Sequence, residues 1–208
     1  MDCLLAYGKK KEERLDMNVF YKEDTNALVL DRVKLDSCDI LMDVVPFLRM
    51  GMMRGVRDLQ LEGNHLDVGG VQLLLHGLMD YEVKLQRLNL GGNYVGSGEG
   101  LNTLGEYLRS SVLLESLDLK ECGLKSKGVR GLCEYLPGHF GLQYLDVSQN
   151  DVQDAAVLDL VVTLALGCRN MMVLTVRGNP VVRADQLHTC LYLYKIEFDV
   201  RGLVGVNP

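Results

Sequence analysis

Hydrophobic residues recur along the chain in an eleven-residue pattern, L-x-x-L-x-L-x-x-N-x-L, in which every L is aliphatic. Residues 85–95 match it in full. Five further copies lie 26 to 29 residues from their neighbours, and Asn or Cys occupies the ninth position of each. The six copies begin at Leu30, Val56, Leu85, Leu114, Leu142 and Met171. A fixed period of this length predicts a stack of structural repeats.

Each copy predicts a short strand followed by a turn. Alternating residues such as Leu88 and Leu90 suit a strand with one buried face. Asn93 follows at the turn, where its amide can donate to and accept from loop backbone that water does not reach. Cys38 and Cys122 take the same position in the first and fourth copies, so we expect both thiols to be buried.

The segments between the copies have apolar residues at helical spacing, which place one stripe on one helix face. The four clearest stripes are Val71/Leu74/Leu78, Leu101/Leu104/Leu108, Val129/Leu132/Leu136 and Val157/Leu160/Leu164. A single strand-and-helix unit cannot bury both of its apolar faces. Neighbouring units must therefore stack on one another.

This 28–29-residue strand–helix repeat resembles the ribonuclease-inhibitor subfamily of leucine-rich repeats over residues 30–203. The resemblance implies an α/β leucine-rich repeat solenoid, an open arc with a parallel β-sheet on the concave face and helices on the convex face. It also implies a role in binding proteins. The subfamily includes the Ran GTPase-activating proteins and the sensor domains of intracellular immune receptors.

The repeats divide one elongated domain into three parts. Residues 1–29 are expected to form an N-terminal cap, since a solenoid needs cover over its first apolar layer. Residues 30–181 hold the six repeats. Residues 182–208 form either a C-terminal cap or a degenerate seventh repeat, which begins at Leu193 and puts Ile196 and Phe198 at aliphatic positions.

Composition narrows the class of partner. The net charge of −6 does not favour nucleic acid or an anionic membrane, and no apolar run reaches the length of a membrane span. The six cysteines lack paired spacing, which indicates free thiols in a reducing compartment. We therefore expect a cytoplasmic protein without a cofactor that binds protein partners. Cytoskeletal and ciliary assemblies are among the settings left open.

The concave face is the first candidate partner surface, because positions three, five and seven of each copy should point outward from the sheet. The candidate residues are Arg87, Asn89, Asp118, Lys120, Tyr144, Asp146 and Arg177, and the first copy would add Arg32, Lys34 and Asp36. Asp118 and Asp146 should be neighbours on adjacent strands. With Lys120 close and no histidine in the column, the pattern favours an acidic strip for a basic partner over a catalytic pair.

A row of aliphatic residues on one helix is the second candidate surface. Helix positions one step beyond the buried stripe are polar in repeats two to four. In repeat five they are Leu158, Val162 and Leu166, spaced i, i+4, i+8 along one face. The row indicates either a hydrophobic docking site or a helix that is rotated or covered by the C-terminal segment.

Two functions from different classes fit this pattern. The first is a non-enzymatic protein–protein interaction module, a scaffold or adaptor. The alternative is a GTPase-activating protein of the Ran type, although no catalytic arginine of that family can be matched to a position here. The four histidines fall in different repeats and form no recognisable triad or metal site. Accelerated GTP hydrolysis by a Ran-type GTPase would separate the two.

Overall fold

The computed structural model describes residues 15–50, 55–180 and 197–199. Within them the strands form one eight-stranded sheet, ordered as in the chain. The first two strands pair antiparallel and every later pair is parallel. The strands are β1 Tyr21–Lys22, β2 Ala27–Val29, β3 Asp58–Gln60, β4 Arg87–Asn89, β5 Ser116–Asp118, β6 Tyr144–Asp146, β7 Val173–Thr175 and β8 Glu197–Asp199.

Helices connect the parallel strands. In the first repeat, α1 Ser37–Asp39 runs through a π-helical turn, Ile40–Val44, into α2 Val45–Arg49. The later helices are α3 Val68–Asp80, α4 Glu99–Ser110, α5 Lys125–Leu132 and α6 Asp154–Gly167. The sheet is not closed, and the fold is the α/β solenoid that the sequence predicted.

The core lies between the sheet and the helices. The middle residue of each strand from β2 to β7 is a leucine with at most 1% of its surface exposed. All twelve residues of the four predicted helical stripes are buried against it. Each layer of leucines covers the next, so apolar burial runs through the stack as one cluster.

The ninth-position asparagines bond one repeat to the one before it. Asn93 is 1% exposed, and its Nδ2 donates to the carbonyl oxygens of Leu61 at 2.8 Å and Leu90 at 3.0 Å. Its Oδ1 accepts from the N–H of Leu66 at 3.0 Å. Asn64, Asn150 and Asn179 make the same kinds of bond. This ladder satisfies turn backbone groups inside a dry core.

At the ninth position of repeat four, the Cys122 side chain only donates a hydrogen bond, whereas an asparagine amide both donates and accepts. Its thiol lies 3.2 Å from the carbonyl oxygen of Leu90, the donation that an asparagine amide would make. It has no carbonyl in its side chain. The N–H of Val95 donates instead to the backbone carbonyl of Cys122 at 3.1 Å. The turn of repeat four therefore keeps its hydrogen bonds with a main-chain group in place of an amide.

The predicted register of the first repeat is wrong by five residues. Leu28 pairs with Leu59, so the first parallel strand lies in the range assigned to the cap, and Val33 occupies position nine. The expected concave residues Arg32 and Lys34 have positive φ in the following turn. Asp36 caps α1 by accepting from the N–H of Asp39.

Cys38 is also misplaced by that register. It lies within α1 and is half-buried, whereas a buried turn thiol was expected. Cys122 is buried, as expected.

The degenerate seventh copy is shifted by two residues. Phe198 pairs with Leu174 and takes the middle position of β8, which the sequence pattern had given to Ile196. The rest of the predicted C-terminal region, like residues 1–14 of the predicted cap, lies outside the described residues. Among the described helices, none has both the length and the apolar character needed to cross a bilayer.

Candidate protein-interaction surface

The parallel register places the predicted concave residues on one face of the sheet. Position three holds Asp58, Arg87, Ser116, Tyr144 and Val173, and position five holds Gln60, Asn89, Asp118, Asp146 and Thr175. Of the seven candidates, Arg87 and Arg177 are exposed, Asn89, Asp118, Lys120 and Tyr144 are half-buried, and Asp146 is buried. The face therefore presents charges of both signs around one tyrosine.

Position-five side chains bond their own turn. The carboxylate Oδ1 of Asp118 accepts from the N–H of Lys120 at 2.9 Å, and that of Asp146 accepts from Ser148 at 2.7 Å. The amide oxygen of Asn89 accepts from Gly91 in the same way. A short Asn or Asp is suited to this bond two residues ahead. Sequence reasoning treated these groups as partner ligands and missed their local role.

Asp118 and Asp146 are the predicted neighbours, directly paired across β5 and β6. Burial, together with the negative charges of Asp146 and Glu62, raises the pKa of Asp118 to about 6. The bond from the Lys120 N–H and the Lys120 charge act in the opposite direction. The second oxygen of Asp146 accepts from the Tyr144 hydroxyl at 3.3 Å. Negative charge is thus concentrated where the strip was predicted.

Ion pairs occupy the N-terminal part of the same face. The guanidinium of Arg87 donates to the carboxylate of Asp58 at 2.8 Å, and Asp58 also accepts from Gln60. Arg32 reaches Glu62 at 2.8 Å from its turn. These ion pairs join neighbouring repeats across the N-terminal part of the face.

Neither histidines nor acids assemble a metal centre in the described part of the chain. Within it, no group of three or more His, Cys, Asp or Glu side chains is placed to hold an ion. His65 and His76 are exposed, and His139 is buried in the turn after α5.

The convex row is partly accessible. Val162 is 38% exposed and Leu166 69% exposed, whereas Leu158 is half-buried and packs against the core. In α3, α4 and α5 the equivalent positions are occupied by polar side chains such as His76, Asn102 and Glu134, all exposed. At the C-terminal end of α6 the row therefore exposes apolar side chains where the compared helices expose polar ones. Its role in binding stays a prediction.

Comparison with known proteins agrees with this geometry. A family model described as Leucine Rich repeat matches residues 110–133 and 142–161, which lie in repeats four and five. Pig ribonuclease inhibitor is 28% identical over 134 residues, covering 50% of this chain and 29% of that protein. The repeated strand, asparagine turn and helix coincide with these matches. The chain contains leucine-rich repeats, and they are similar at low identity to those of ribonuclease inhibitors.

Other relatives of this leucine-rich repeat protein are larger and more diverse. Mouse "Centrosomal protein of 78 kDa" is 30% identical over 88 residues, which are 42% of this chain and 11% of that protein. Human "NACHT, LRR and PYD domains-containing protein 13" is 29% identical over 152 residues, 72% of this chain and 14% of that protein. The chain thus spans less than a third of the length of each of these relatives.

Two exposed features of this leucine-rich repeat protein escaped the sequence reasoning. Tyr94 is 55% exposed, and its ring lies against Gly96 and Gly123, both with positive φ. The edge formed by the turns before the strands exposes Val112, Leu113, Phe140 and Met172. The only available signal was that these residues fall just outside the buried positions of the motif.

Proposed function

We propose that this protein is a non-enzymatic interaction module, a scaffold or adaptor that binds a protein partner through its concave face. One observation carries the proposal: the sheet leaves one face open, and that face presents Lys120, Tyr144 and Arg177 beside the Asp118–Asp146 strip. A surface that mixes charge with an accessible aromatic suits contact with another protein. Binding there fits the protein-binding role usual for this repeat class.

Charge complementarity defines the expected partner. Asp118 and Asp146 lie side by side and concentrate negative potential; the raised pKa of Asp118 comes first from burial and then from the negative charges of Asp146 and Glu62. A partner segment with lysine or arginine would relieve this potential. Lys120 and Tyr144 border the strip and would fix the register of such a segment.

Placement in a cytoplasmic complex associated with the cytoskeleton is part of the proposal. Its support is the similarity to mouse "Centrosomal protein of 78 kDa". Four described cysteines, Cys38, Cys122, Cys133 and Cys168, are free thiols, which fits a reducing compartment.

The end of α6 is the second candidate surface, favoured by the exposure of Val162 and Leu166. Contiguous apolar side chains on a protein surface often mark an interaction site. Leu158 belongs to the core side of this row, so a charged residue there would test folding and not binding. Substitutions at Val162 and Leu166 avoid that ambiguity.

Capture of partners with matched variants of the tagged protein distinguishes the two candidate surfaces. Lys120→Glu/Tyr144→Ala alters the concave face, and Val162→Lys/Leu166→Glu alters the convex row. Lys127→Glu reverses an exposed charge on α5 and serves as the control. Each variant is first checked for a native melting transition.

The proposal expects the concave variant to lose partners that the convex variant and the Lys127→Glu control retain. If only the convex variant loses partners, the binding site is assigned to α6 instead. Full retention by the concave variant would overturn the assignment of that face.

A further inference from the structure

His139 ties two neighbouring repeats together. It lies in the turn after α5 and is 7% exposed. Its Nε2 is 3.1 Å from the carbonyl oxygen of Ser111, the residue that ends α4 in the preceding repeat. A carbonyl oxygen only accepts, so this nitrogen carries a proton and donates it. The imidazole ring therefore connects the turn at the end of repeat four to the turn at the end of repeat three.

The other ring nitrogen of His139, Nδ1, makes no comparable hydrogen bond. Nδ1 is buried and has no hydrogen-bond partner in the described structure. In the neutral ring it is an acceptor without a donor. A second proton would place an N–H and a positive charge at this buried position, and the desolvation of that charge outweighs the stabilisation by the backbone of Ser111 and of His139 itself.

The surroundings of His139 favour the neutral ring. Burial lowers its pKa, against the raising effect of the Ser111 bond. No described carboxylate is bonded to either ring nitrogen. The charged and titratable side chains on the elements packed around this turn are Arg109, Glu115, Glu134, Tyr135, Cys168 and Arg169. Arg109 stacks on Tyr135 and Arg169 on Phe140, so both cations are held at this end of the solenoid.

We propose that His139 is an acid-sensitive latch: the neutral ring stays buried and holds the ends of repeats three and four together through Ser111, whereas the protonated ring, whose charge burial disfavours, moves out to water and gives up that bond. The latch lies on an edge that already exposes Val112, Leu113 and Phe140. Release would add Tyr107, which is buried just before Ser111, to that apolar surface. The device is independent of the proposed concave partner site.

The direction of the pH effect follows from the lowered pKa. The closed edge has its full stability above pH 6.5, the ordinary value for histidine, and loses it as the pH falls below that value. One linked proton makes the loss approach about tenfold per pH unit until the pKa of the folded state is reached.

Hydrogen exchange of the amides of residues 111–115, measured on the full chain between pH 7.5 and pH 5, tests the latch. After correction for the intrinsic exchange rate, protection in the wild type should fall below pH 6.5, approaching about tenfold per pH unit. His139→Gln should remove the pH dependence, since its amide can still donate to Ser111 but does not titrate. His76→Gln, at an exposed histidine, should behave as the wild type.

An NMR titration of the His139 ring in the wild type gives an independent measurement. The latch requires an Nε2-protonated neutral ring with a pKa below 6.5. An Nδ1-protonated ring, a pKa at or above 6.5, or an unchanged pH slope in His139→Gln would overturn it. If His139→Gln does not fold, the wild-type ring titration and exchange slope still decide.

Discussion

Asp118→Asn should stabilise the protein at neutral pH, although it removes a charge from the proposed partner surface. Asn89 occupies the same position one repeat earlier and makes the same bond to the N–H two residues ahead. An asparagine at 118 can therefore still accept from Lys120. It also removes a half-buried negative charge next to Asp146 and Glu62.

The magnitude follows from the raised pKa. The pKa of Asp118 rises from 3.8 to about 6, that is, by about two pH units. At about 1.4 kcal/mol per unit this would be about 3 kcal/mol for a fully buried group. Asp118 is half-buried, so solvent screening reduces the expected gain to about 1–2 kcal/mol. For a chain of this size that corresponds to a rise in melting temperature of about 2–8 °C.

The sign of the pH dependence is the sharper test. A carboxyl whose folded pKa is raised destabilises the folded state as the pH rises through the interval from 3.8 to about 6. Urea unfolding at pH 8 should therefore show Asp118→Asn above the wild type. The difference should vanish near pH 3.5, where the wild-type side chain is also neutral.

The reciprocal variant controls for position. Asn89→Asp keeps the acceptor for the Gly91 N–H, loses the donation to Gln60, and adds a carboxylate beside Asp118. It should be less stable than the wild type at pH 8, with a gap that narrows in acid. A gain for Asp118→Asn that is equal at both pH values, or a loss at pH 8, would refute the electrostatic reasoning.

Two further predictions concern the asparagine ladder and the thiols. Asn93→Ala removes four side-chain hydrogen bonds to backbone and should cost about 1–3 kcal/mol in urea unfolding, whereas the exposed Asn102→Ala should cost much less; equal losses would contradict the ladder. Cys38, which is half-buried, should react with a thiol reagent in the native protein well before Cys122, whose pKa is raised by burial. Equal labelling rates without denaturant would show that Cys122 is not enclosed.

Repeats two to six could be placed from the sequence because two requirements coincide there. Leu88 must fill the core from the middle of a strand, and Asn93 must serve turn backbone five residues later. No shift of the pattern satisfies both. The helical stripes were predictable for a related reason, since residues such as Leu104 and Leu108 recur at helical spacing between the strands.

The first repeat could not be placed because its aliphatic residues satisfy two registers. Leu30, Val33 and Leu35 fit the motif as first, fourth and sixth positions, which gives the ninth position to Cys38; as sixth, ninth and eleventh they place a valine where the motif has Asn or Cys. The partner repeat decides between them. Asn64 donates to the carbonyl oxygen of Leu30 and accepts from the N–H of Leu35, which requires the second register. That constraint lies in the next repeat's geometry and is absent from the local pattern.

Along each strand, different motif positions contribute to folding and to the proposed partner surface on the concave face. Position five is tied to its own turn, as the bonds from Lys120 to Asp118 and from Ser148 to Asp146 show. Substitutions there alter folding together with any contact. Side chains at positions three and seven, such as Tyr144 and Lys120, contribute less to closing the turn. Because of this difference, the proposed partner contacts would vary at positions three and seven, while Asn89, Asp118 and Asp146 keep the turns of their own repeats closed.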